Sequence, residues 1–568
     1  MSNHRNQADT RANTVAAEPH GKRYALVLLA AVFIAVWFSN LEYRKLTRPD
    51  EGRYAEIARE MLATGDWITP RLNGIKYFEK PPLQYWATAA AYRVFGEHEW
   101  TARWWPAVTG LGSVLLMFFA GRKLFGPAAG LSAALVLASC VAHVGLGHIN
   151  TLDMGLTFFM TGTLLAFLLA QQVGASAAER RNWCLAAWAC AALAVLSKGL
   201  IGIVLPGAVL AVYVLLQRDF GLLRGLQWRS GLALFFLIAA PWFALVQYAN
   251  PEFATFFFVH EHFERFLTES HSRVEPWWYF FPMLAAAILP WVTLLPQALI
   301  RGWQIRPSPA AFHPARFLLI WAVVVFAFFS ASGSKLPSYI LPVFPALALL
   351  TGLVLAEIGT RQLLWHTIPV LVAGIAIAVL SPGADSMAGK YVPASLIEAY
   401  VPWVIAAGLA LATGAGYAVF SCRRGDRAAA VLGVAFGGLL ATQLVITGHD
   451  TLSPSYSGYH IARDIRPYLA ENTPFYSVLT YDQTLPFYLK RTVTLVAFQG
   501  ELAYGLEQEP QLSIPDIPSF ERAWRSEPGA LAIMEPHTYS ELEDKRLPMQ
   551  VVARDLRRIV VRSPGAAP

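Results

Sequence analysis

Apolar runs of about 17 to 22 residues recur along this chain, separated by short polar stretches, and each matches the ~20 residues a helix needs to cross a ~30 Å hydrocarbon core. They cover residues 24–41, 104–122, 127–147, 153–172, 183–198, 200–217, 229–248, 279–300, 315–332, 338–357, 364–381, 401–421 and 428–447. None alternates polar and apolar faces as a helix in a soluble core would. The pattern predicts about thirteen transmembrane helices. A further run, PPLQYWATAAAYRVFG at residues 81–96, is short for a span and carries Arg93.

Charge decides how to treat that run. Lys and Arg beside span ends prefer the cytoplasm, and Arg5, Arg11, Lys22 and Arg23 place the N-terminus inside. With residues 81–96 left out of the membrane, Arg122 and Lys123, Arg180 and Arg181, Arg218 and Arg224, Arg301 and Arg306, Arg361, and Arg423 with Arg424 all fall inside too. Counting it as a span reverses every later loop. Residues 81–96 are therefore read as an amphipathic or partly buried helix at the outer interface. The outer face then collects residues 42–103, the turn around Asp153, the loop 249–278 and the tail from 448.

Composition agrees with a polytopic α-helical membrane protein: 55% of residues are hydrophobic and 15% charged. The net charge of +7 lies in short clusters between apolar runs, which fits cytoplasmic loops and offers no nucleic-acid-binding pattern. Residues 1–23 form a polar cytoplasmic tail, and the first apolar run lacks a small-residue cleavage site, so a retained helix is expected. Cys140, Cys184, Cys190 and Cys422 lie in or beside apolar runs, where packing is their expected role. From residue 448 to 568 charge density rises. FYSVLTYDQTLPFYLKRTVTLVAF reads as two short strands around a Pro-containing connection, with GALAIMEP and QVVARDLRRIVVRS following. This region is expected to be a small α/β periplasmic domain in which no catalytic motif stands out.

Ionisable groups near membrane depth cost ~2.5 to 3.5 kcal/mol each on insertion scales, so their clustering on one face points to function. The outer face gathers Asp50, Glu51, Arg53 and Tyr54 in RPDEGRY, Glu79 and Lys80 in KYFEKPP, His148 and Asp153 in GHINTLDMG, and Lys198 in LSKG. His260, His262, Glu264 and Arg265 follow in FFFVHEHFERF, then Lys335 and Tyr339 in GSKLPSYILP. Each has an ordinary reading beside the functional one. Asp50 and Glu51 suit the start of a helix, Asp153 suits an N-cap, and Lys198 can snorkel. Lys80 precedes two prolines that hold it extended, which favours a presented cation. His260 and His262, with Glu79, allow a divalent metal, although surface histidines without one are the commoner arrangement. Taken together, carboxylates, cations and aromatics suit a substrate with an apolar tail and a phosphate head, hence glycosyl or phosphoryl transfer from a lipid carrier.

The order of RPDEGRYAEIAREML, KYFEKPPLQYW, GHINTLDMGLTFF, LSKG, EHFERF and GSKLPSYILPVFPALALL resembles the lipid A aminoarabinose transferases, within the protein O-mannosyltransferase-like GT-C glycosyltransferases, over about residues 24–360. The resemblance implies a GT-C catalytic domain over residues 24–447 with interfacial helices in its first periplasmic loop. It implies transfer of 4-amino-4-deoxy-L-arabinose from undecaprenyl phosphate to lipid A phosphates, lowering negative charge and giving resistance to polymyxin and cationic peptides. On this resemblance Asp50 and Asp153 occupy the two acidic positions of such enzymes, and AEIAREML begins an amphipathic helix at the interface. Lys80, Arg265 and Tyr339 surround the carrier phosphate, while Tyr54 and Lys198 complete the sugar cavity. Arg53 and Lys335 join the substrate-binding set. A structural zinc near Glu79, His260 and His262 is implied, with no cofactor needed for chemistry. The expected partners are the lipid-linked sugar donor, the lipid A acceptor and membrane lipids, around a monomeric enzyme of the bacterial inner membrane. Two rivals stand beside this reading: a related enzyme with a Ser or Thr hydroxyl acceptor, and a lipid transporter or flippase. The one-sided gathering of charge argues against the transporter, whose site lies at the midplane.

Overall fold

The computed structural model describes residues 20–264, 275–304, 312–389, 391–498 and 500–564. Every apolar run identified above is helical, from His20–Phe38 through Glu99–Phe125, Asp153–Ala170, Ala177–Lys198 and Trp228–Ala249 to Ala394–Arg423 and Arg427–Gly448. Among the described residues eight helices are long and apolar enough to cross a membrane, or ten if each of two bent pairs is one span. Two more apolar helices, Leu28–Phe38 and Ile201–Gln217, are shorter. Length and composition thus support up to ten spans where the runs predict about thirteen. The difference lies in these short helices and in Ala177–Lys198, whose first turns carry Glu179, Arg180 and Arg181.

The bent pairs brace each other. Pro127–Ser139 meets Val141–Gly147 at 64°, and Phe280–Ala287 meets Val292–Gln304 at 116°. A break in a buried helix leaves backbone groups without partners, which hydrocarbon cannot supply. Here Val141 donates its amide to the Leu289 carbonyl at 3.2 Å, and the Trp291 indole donates to Ser139 Oγ at 2.9 Å. Later helices approach through glycine: a Cβ on Gly414 would lie 2.4 Å from the Gly433 carbonyl oxygen, so Ala394–Arg423 and Arg427–Gly448 pack backbone to backbone.

Outside the spans, the first loop contains a helix at Asp50–Thr64, a hairpin of Arg71–Leu72 with Ile75–Lys76, and a helix at Leu83–Phe95. The second helix is partly buried, as expected: Tyr85, Ala89 and Tyr92 face inward while Val94 and Phe95 are exposed. Asp50–Thr64 differs from the expected interfacial helix, because all residues from Glu51 to Met61 are buried. What covers it is the C-terminal region. There a six-stranded sheet runs Ser513–Ile514, Thr494–Val496, Phe475–Val478, Leu531–Met534, Ile559–Arg562, Gln550–Arg554. The first four strands are parallel and the last two form an antiparallel hairpin. Alternation gives the sheet two apolar faces. Tyr476, Val478, Ala532 and Met534 pack on Phe520, Trp524 and Leu542, whereas Phe475, Leu495, Leu531 and Ile533 join one core with Tyr54, Ile57, Met61, Tyr85 and Tyr92 of the first loop.

One buried carboxylate ties the loop to the membrane helices. Glu51 accepts from Arg103 Nε at 2.7 Å and Nη2 at 3.0 Å, from Arg44 Nη1 at 2.9 Å, and from Thr47 N at 3.0 Å and Oγ1 at 2.9 Å. It also accepts from the Asn150 amide at 3.1 Å. The excess donors of the two arginines go to backbone: Arg103 Nη1 to the carbonyls of Leu41 and Arg44, and Arg44 Nη2 to that of His148. Burial alone would push this carboxyl up, but the Arg103 and Arg44 guanidiniums outweigh it and hold Glu51 far below the usual range. A second buried acid behaves oppositely. Burial, reinforced by the neighbouring Glu56 carboxylate, pushes Glu60 up to about 8, against its hydrogen bond from the Gly74 amide and the charge of Arg59.

Replacing Glu51 with Gln or Ala leaves two buried guanidiniums without their counter-charge, a loss of about 3–5 kcal/mol. The expected outcome is a large fall in the melting midpoint of the detergent-solubilised protein, followed by intrinsic fluorescence. Glu60 has the pH signature of an acid whose pKa is raised on folding. Its contribution to stability is full below the unfolded carboxylate pKa of about 4.5 and is lost as pH rises through about 8. The melting midpoint is expected to decline between those limits, and Glu60→Gln to flatten that decline.

Candidate active site

Asp50 opens its helix directly after Pro49, and the following turn brings Arg53 back to it, Nη1 to Oδ1 at 3.2 Å. Its side chain remains 42% exposed, so it is oriented yet accessible to a ligand. The other arm of Arg53 donates to Glu501, which also accepts from Gln483 Nε2 at 2.9 Å. Glu501 and Gln483 belong to the C-terminal region, where the sequence shows no catalytic motif. No local signal marks Glu501, because its partner is 448 residues away in the chain.

Aromatic side chains surround this group. The Arg53 guanidinium lies 5.8 Å from the Tyr54 ring and 6.0 Å from that of Tyr77, and the Tyr54 and Tyr85 rings are 6.0 Å apart. Burial, aided by Asp50, raises the Tyr54 phenol well above its ordinary pKa, so it acts here as a neutral hydrogen-bonding group. Burial also lifts Glu501 above the usual carboxylate range, the Arg53 charge pulling the other way. Glu79 is close enough to push Tyr54, Tyr77 and Glu501 in the same upward direction. The Tyr77 hydroxyl is buried with no hydrogen-bond partner among the described residues, a second residue that the sequence does not single out. An unpartnered buried hydroxyl beside an accessible carboxylate is what a polar ligand would satisfy.

Asp153 begins the helix Asp153–Ala170, and Lys198 ends Ala177–Lys198, so antiparallel packing brings the two termini together. Lys198 Nζ donates to Asp153 Oδ1 at 2.5 Å and stands 4.9 Å from the centre of the Tyr339 ring. These three residues, far apart in sequence, are assembled by the fold. The first group is held against them through Glu51: its carboxylate binds the Asn150 amide, and Gln84 Nε2 donates to Asn150 Oδ1 at 2.6 Å, which fixes the turn leading to Asp153.

The remaining residues are placed less uniformly. Lys80 Nζ donates to the Glu79 carbonyl at 2.7 Å. Lys335 is 5% exposed and spends its ammonium on the carbonyls of Ser332 at 2.5 Å, the C-cap of the Pro314–Ala331 helix, and of Glu275 at 2.8 Å instead of joining the Asp153 group. His260 lies on the stretch Thr255–Glu264, its ring 6.2 Å from Phe256, which in turn stacks on Tyr504 at 4.0 Å. Arg265 and the His262 side chain lie outside the described residues. Among the described residues no group of three or more His, Cys, Asp or Glu could hold a metal ion. Of the expected zinc set, only the side chains of Glu79 and His260 are described.

Chemically, the arrangement offers an oriented carboxylate at Asp50, a second at Asp153, and a lysine charge fixed beside it. The family described as dolichyl-phosphate-mannose-protein mannosyltransferase matches residues 23–257, and that described as aminoarabinose transferase C-terminal domain matches residues 461–563. A Pseudomonas aeruginosa protein named undecaprenyl phosphate-alpha-4-amino-4-deoxy-L-arabinose arabinosyl transferase is 32% identical over 531 residues, 90% of this chain and 93% of that one. The fold is similar to that of ArnT from Cupriavidus metallidurans bound to undecaprenyl phosphate, with 40% identity and a TM-score of 0.91 over 96% of this chain and 99% of that one. The same protein in the apo state gives a TM-score of 0.90, again over 96% of this chain. The chain thus belongs to the undecaprenyl phosphate-α-4-amino-4-deoxy-L-arabinose arabinosyl transferase family and is an integral membrane glycosyltransferase of the GT-C fold.

Proposed function

We propose that the protein moves 4-amino-4-deoxy-L-arabinose from undecaprenyl phosphate to a phosphate group of lipid A, at the periplasmic side of the bacterial inner membrane. The observation that carries this reading is the Asp50–Arg53–Glu501 group, tied through Glu51 and the Asn150 amide to the turn that leads into the group of Asp153, Lys198 and Tyr339. It supports a phosphate-headed donor and an anionic acceptor better than transport, since Asp50, Asp153 and Lys198 lie at helix ends and not at mid-helix.

In this reading an oxygen of the acceptor phosphate attacks the anomeric carbon, the bond from that carbon to the carrier phosphate oxygen breaks, and undecaprenyl phosphate leaves with the bonding electrons. A single displacement inverts the anomeric centre and needs no enzyme nucleophile. Lys198, with Lys80 and Arg265, offsets the charge that develops on the leaving phosphate and Tyr339 donates a hydrogen bond to it, so fixed side chains supply what a metal would otherwise do. A lipid phosphate is already largely ionised near neutral pH, its second pKa being about 6. Asp50 therefore orients the acceptor or binds the sugar amine more than it removes a proton. Tyr54, Tyr77 and Glu501 line the polar side where the sugar would sit.

Mass spectrometry of lipid A from cells with and without this chain tests the function. The expected product carries one aminopentose per modified phosphate, and a chain-dependent sugar on a secreted protein instead would establish the hydroxyl-acceptor reading. In a reconstituted assay Lys198→Ala is expected to lower kcat by about 10²-fold, the usual loss for one charge-stabilising donor. Asp50→Asn retains the shape and hydrogen-bonding reach of the side chain, so it should keep more transfer than Asp50→Ala. Wild-type rates in both Asp50 variants would remove that residue from the catalytic set.

A further inference from the structure

A cationic group outside the site just described sits on the same chain turn as Asp50. Arg48 precedes it by two residues, which limits the separation of their Cα atoms to about 7 Å. The Arg48 amide donates to the Tyr456 carbonyl at 2.9 Å, so this turn is pinned to the short helix Ser453–Tyr456 that follows the last membrane helix. Across from it the Arg557 guanidinium lies 4.0 Å over the Tyr391 ring and 5.9 Å from the Tyr456 ring. Tyr391 comes from the connection between Thr360–Leu380 and Ala394–Arg423. First loop, outer connection and C-terminal region therefore converge here, at the level where the membrane helices end.

The acids of this neighbourhood are already committed. Asp482 and Asp555 both bind Arg558, at 2.5 Å and 2.7 Å, and Arg558 also donates to the Ser457 carbonyl at 2.6 Å. Thr484 gives Asp482 two more hydrogen bonds, and the Asp555 carboxylate accepts from the amides of Arg557 and Arg558. Among the described residues neither Arg48 nor Arg557 forms an ion pair, and Arg557 Nε is a buried donor with no hydrogen-bond partner. Burial lowers the Arg557 pKa, and the charge of Arg48, whose turn is tied to the Tyr456 backbone beside the Arg557 guanidinium, lowers it further. Aromatic stacking fixes the plane of one fork without using its N–H groups. Two half-buried forks of like charge, one with an unused donor, are complementary to a phosphate, which takes paired N–H donors and relieves their repulsion.

We propose that Arg48 and Arg557 bind a phosphate of the lipid acceptor and seat it beside Asp50. This rests on the reading that the chain glycosylates a phosphorylated lipid. The donor phosphate has its own cations at Lys198 and Lys80, on a separate set of elements. The acceptor approaches from the outer membrane surface, where Tyr391 and Tyr456 lie. Tyr391 and Tyr456 thus act as positioning residues for the Arg557 fork.

The test uses the full-length protein in nanodiscs of zwitterionic lipid, with purified bisphosphorylated lipid A and the C55-phosphate-linked sugar varied separately. The Arg48→Gln/Arg557→Gln double variant is expected to raise the KM for lipid A at least tenfold while the donor KM stays within twofold. Arg557→Lys keeps the charge but loses the fork, so its KM for lipid A should fall between wild type and Arg557→Gln. A raised donor KM with an unchanged lipid A KM overturns the assignment to the acceptor. Unchanged values for both substrates overturn the anion site itself. If the double variant loses only a response to added phosphatidylglycerol, a bulk anionic lipid occupies the site and the proposal fails. Should the double variant melt early, the salt dependence of the lipid A KM in Arg48→Lys and Arg557→Lys gives the same decision. An undiminished dependence together with a wild-type KM refutes the site. Wild-type protein that transfers no sugar to lipid A would sink the functional reading, whereas wild-type transfer with an unshifted double variant sinks only this inference.

Discussion

The architecture depends on the Glu51 carboxylate. A single buried anion holds two guanidiniums, and through them the end of the first membrane helix, the start of the Glu99–Phe125 helix and the turn at 148–150. Such a group is costly to desolvate, and it is tolerated because further donors of Arg44 and Arg103 reach the backbone carbonyls of His148, Leu41, Arg44 and Lys45. The two acidic residues of the site sit on either side of it: Asp50 is its neighbour in the chain, and Asp153 follows the turn whose Asn150 amide it binds. Asp50 therefore cannot move relative to Asp153 without disturbing this node. That fixes the separation between the Asp50 carboxylate and the Asp153–Lys198 pair.

The membrane part of this arrangement is legible in the sequence because a span must satisfy its own backbone in hydrocarbon, which forces long apolar runs. Residues 153–172 and 229–248 are read within a few residues of Asp153–Ala170 and Trp228–Ala249. Residues 81–96 are distinguishable from a span only through the balance of Lys and Arg in the loops that follow, and the Leu83–Phe95 helix has the partly buried character that balance requires. The short Ile201–Gln217 shows the limit of counting: its apolar run is clear, yet length alone does not qualify it as a span.

What the chain does not reveal locally is burial by distant segments. AEIAREML reads as a surface helix since three of its eight residues are charged, and Glu56, Arg59 and Glu60 are buried because the helix packs between the Leu83–Phe95 helix and the C-terminal region. For the same reason Glu501 carries no signal in FQGEL, and Tyr77 looks like any aromatic in a loop. Lys335 illustrates the reverse. Its position between GS and LPSYILP suggests a ligand, while the fold uses its ammonium to bind the Ser332 carbonyl at the end of the Pro314–Ala331 helix and the Glu275 carbonyl. Charge near a membrane surface marks a region as functional; which charges remain available is settled by hydrogen bonds that only the tertiary structure contains.

The ion pair between Arg53 and Glu501 has a consequence for the order of events during synthesis. Its partners are 448 residues apart, and the sheet face that completes the core around Tyr54 is built from strands at residues 475–562. Chains emerge and fold from the N-terminus, so the first loop is synthesised long before its cover exists. Until then Arg53 and the acids of the Asp50–Thr64 helix face water, and the catalytic loop has no fixed wall on one side. A ribosome that stalls within the last fifth of the message leaves a membrane domain whose helices are inserted but whose catalytic chamber is still open. The core around Tyr54 is therefore completed at the end of translation, when the final strands dock, and not when the spans are threaded into the bilayer.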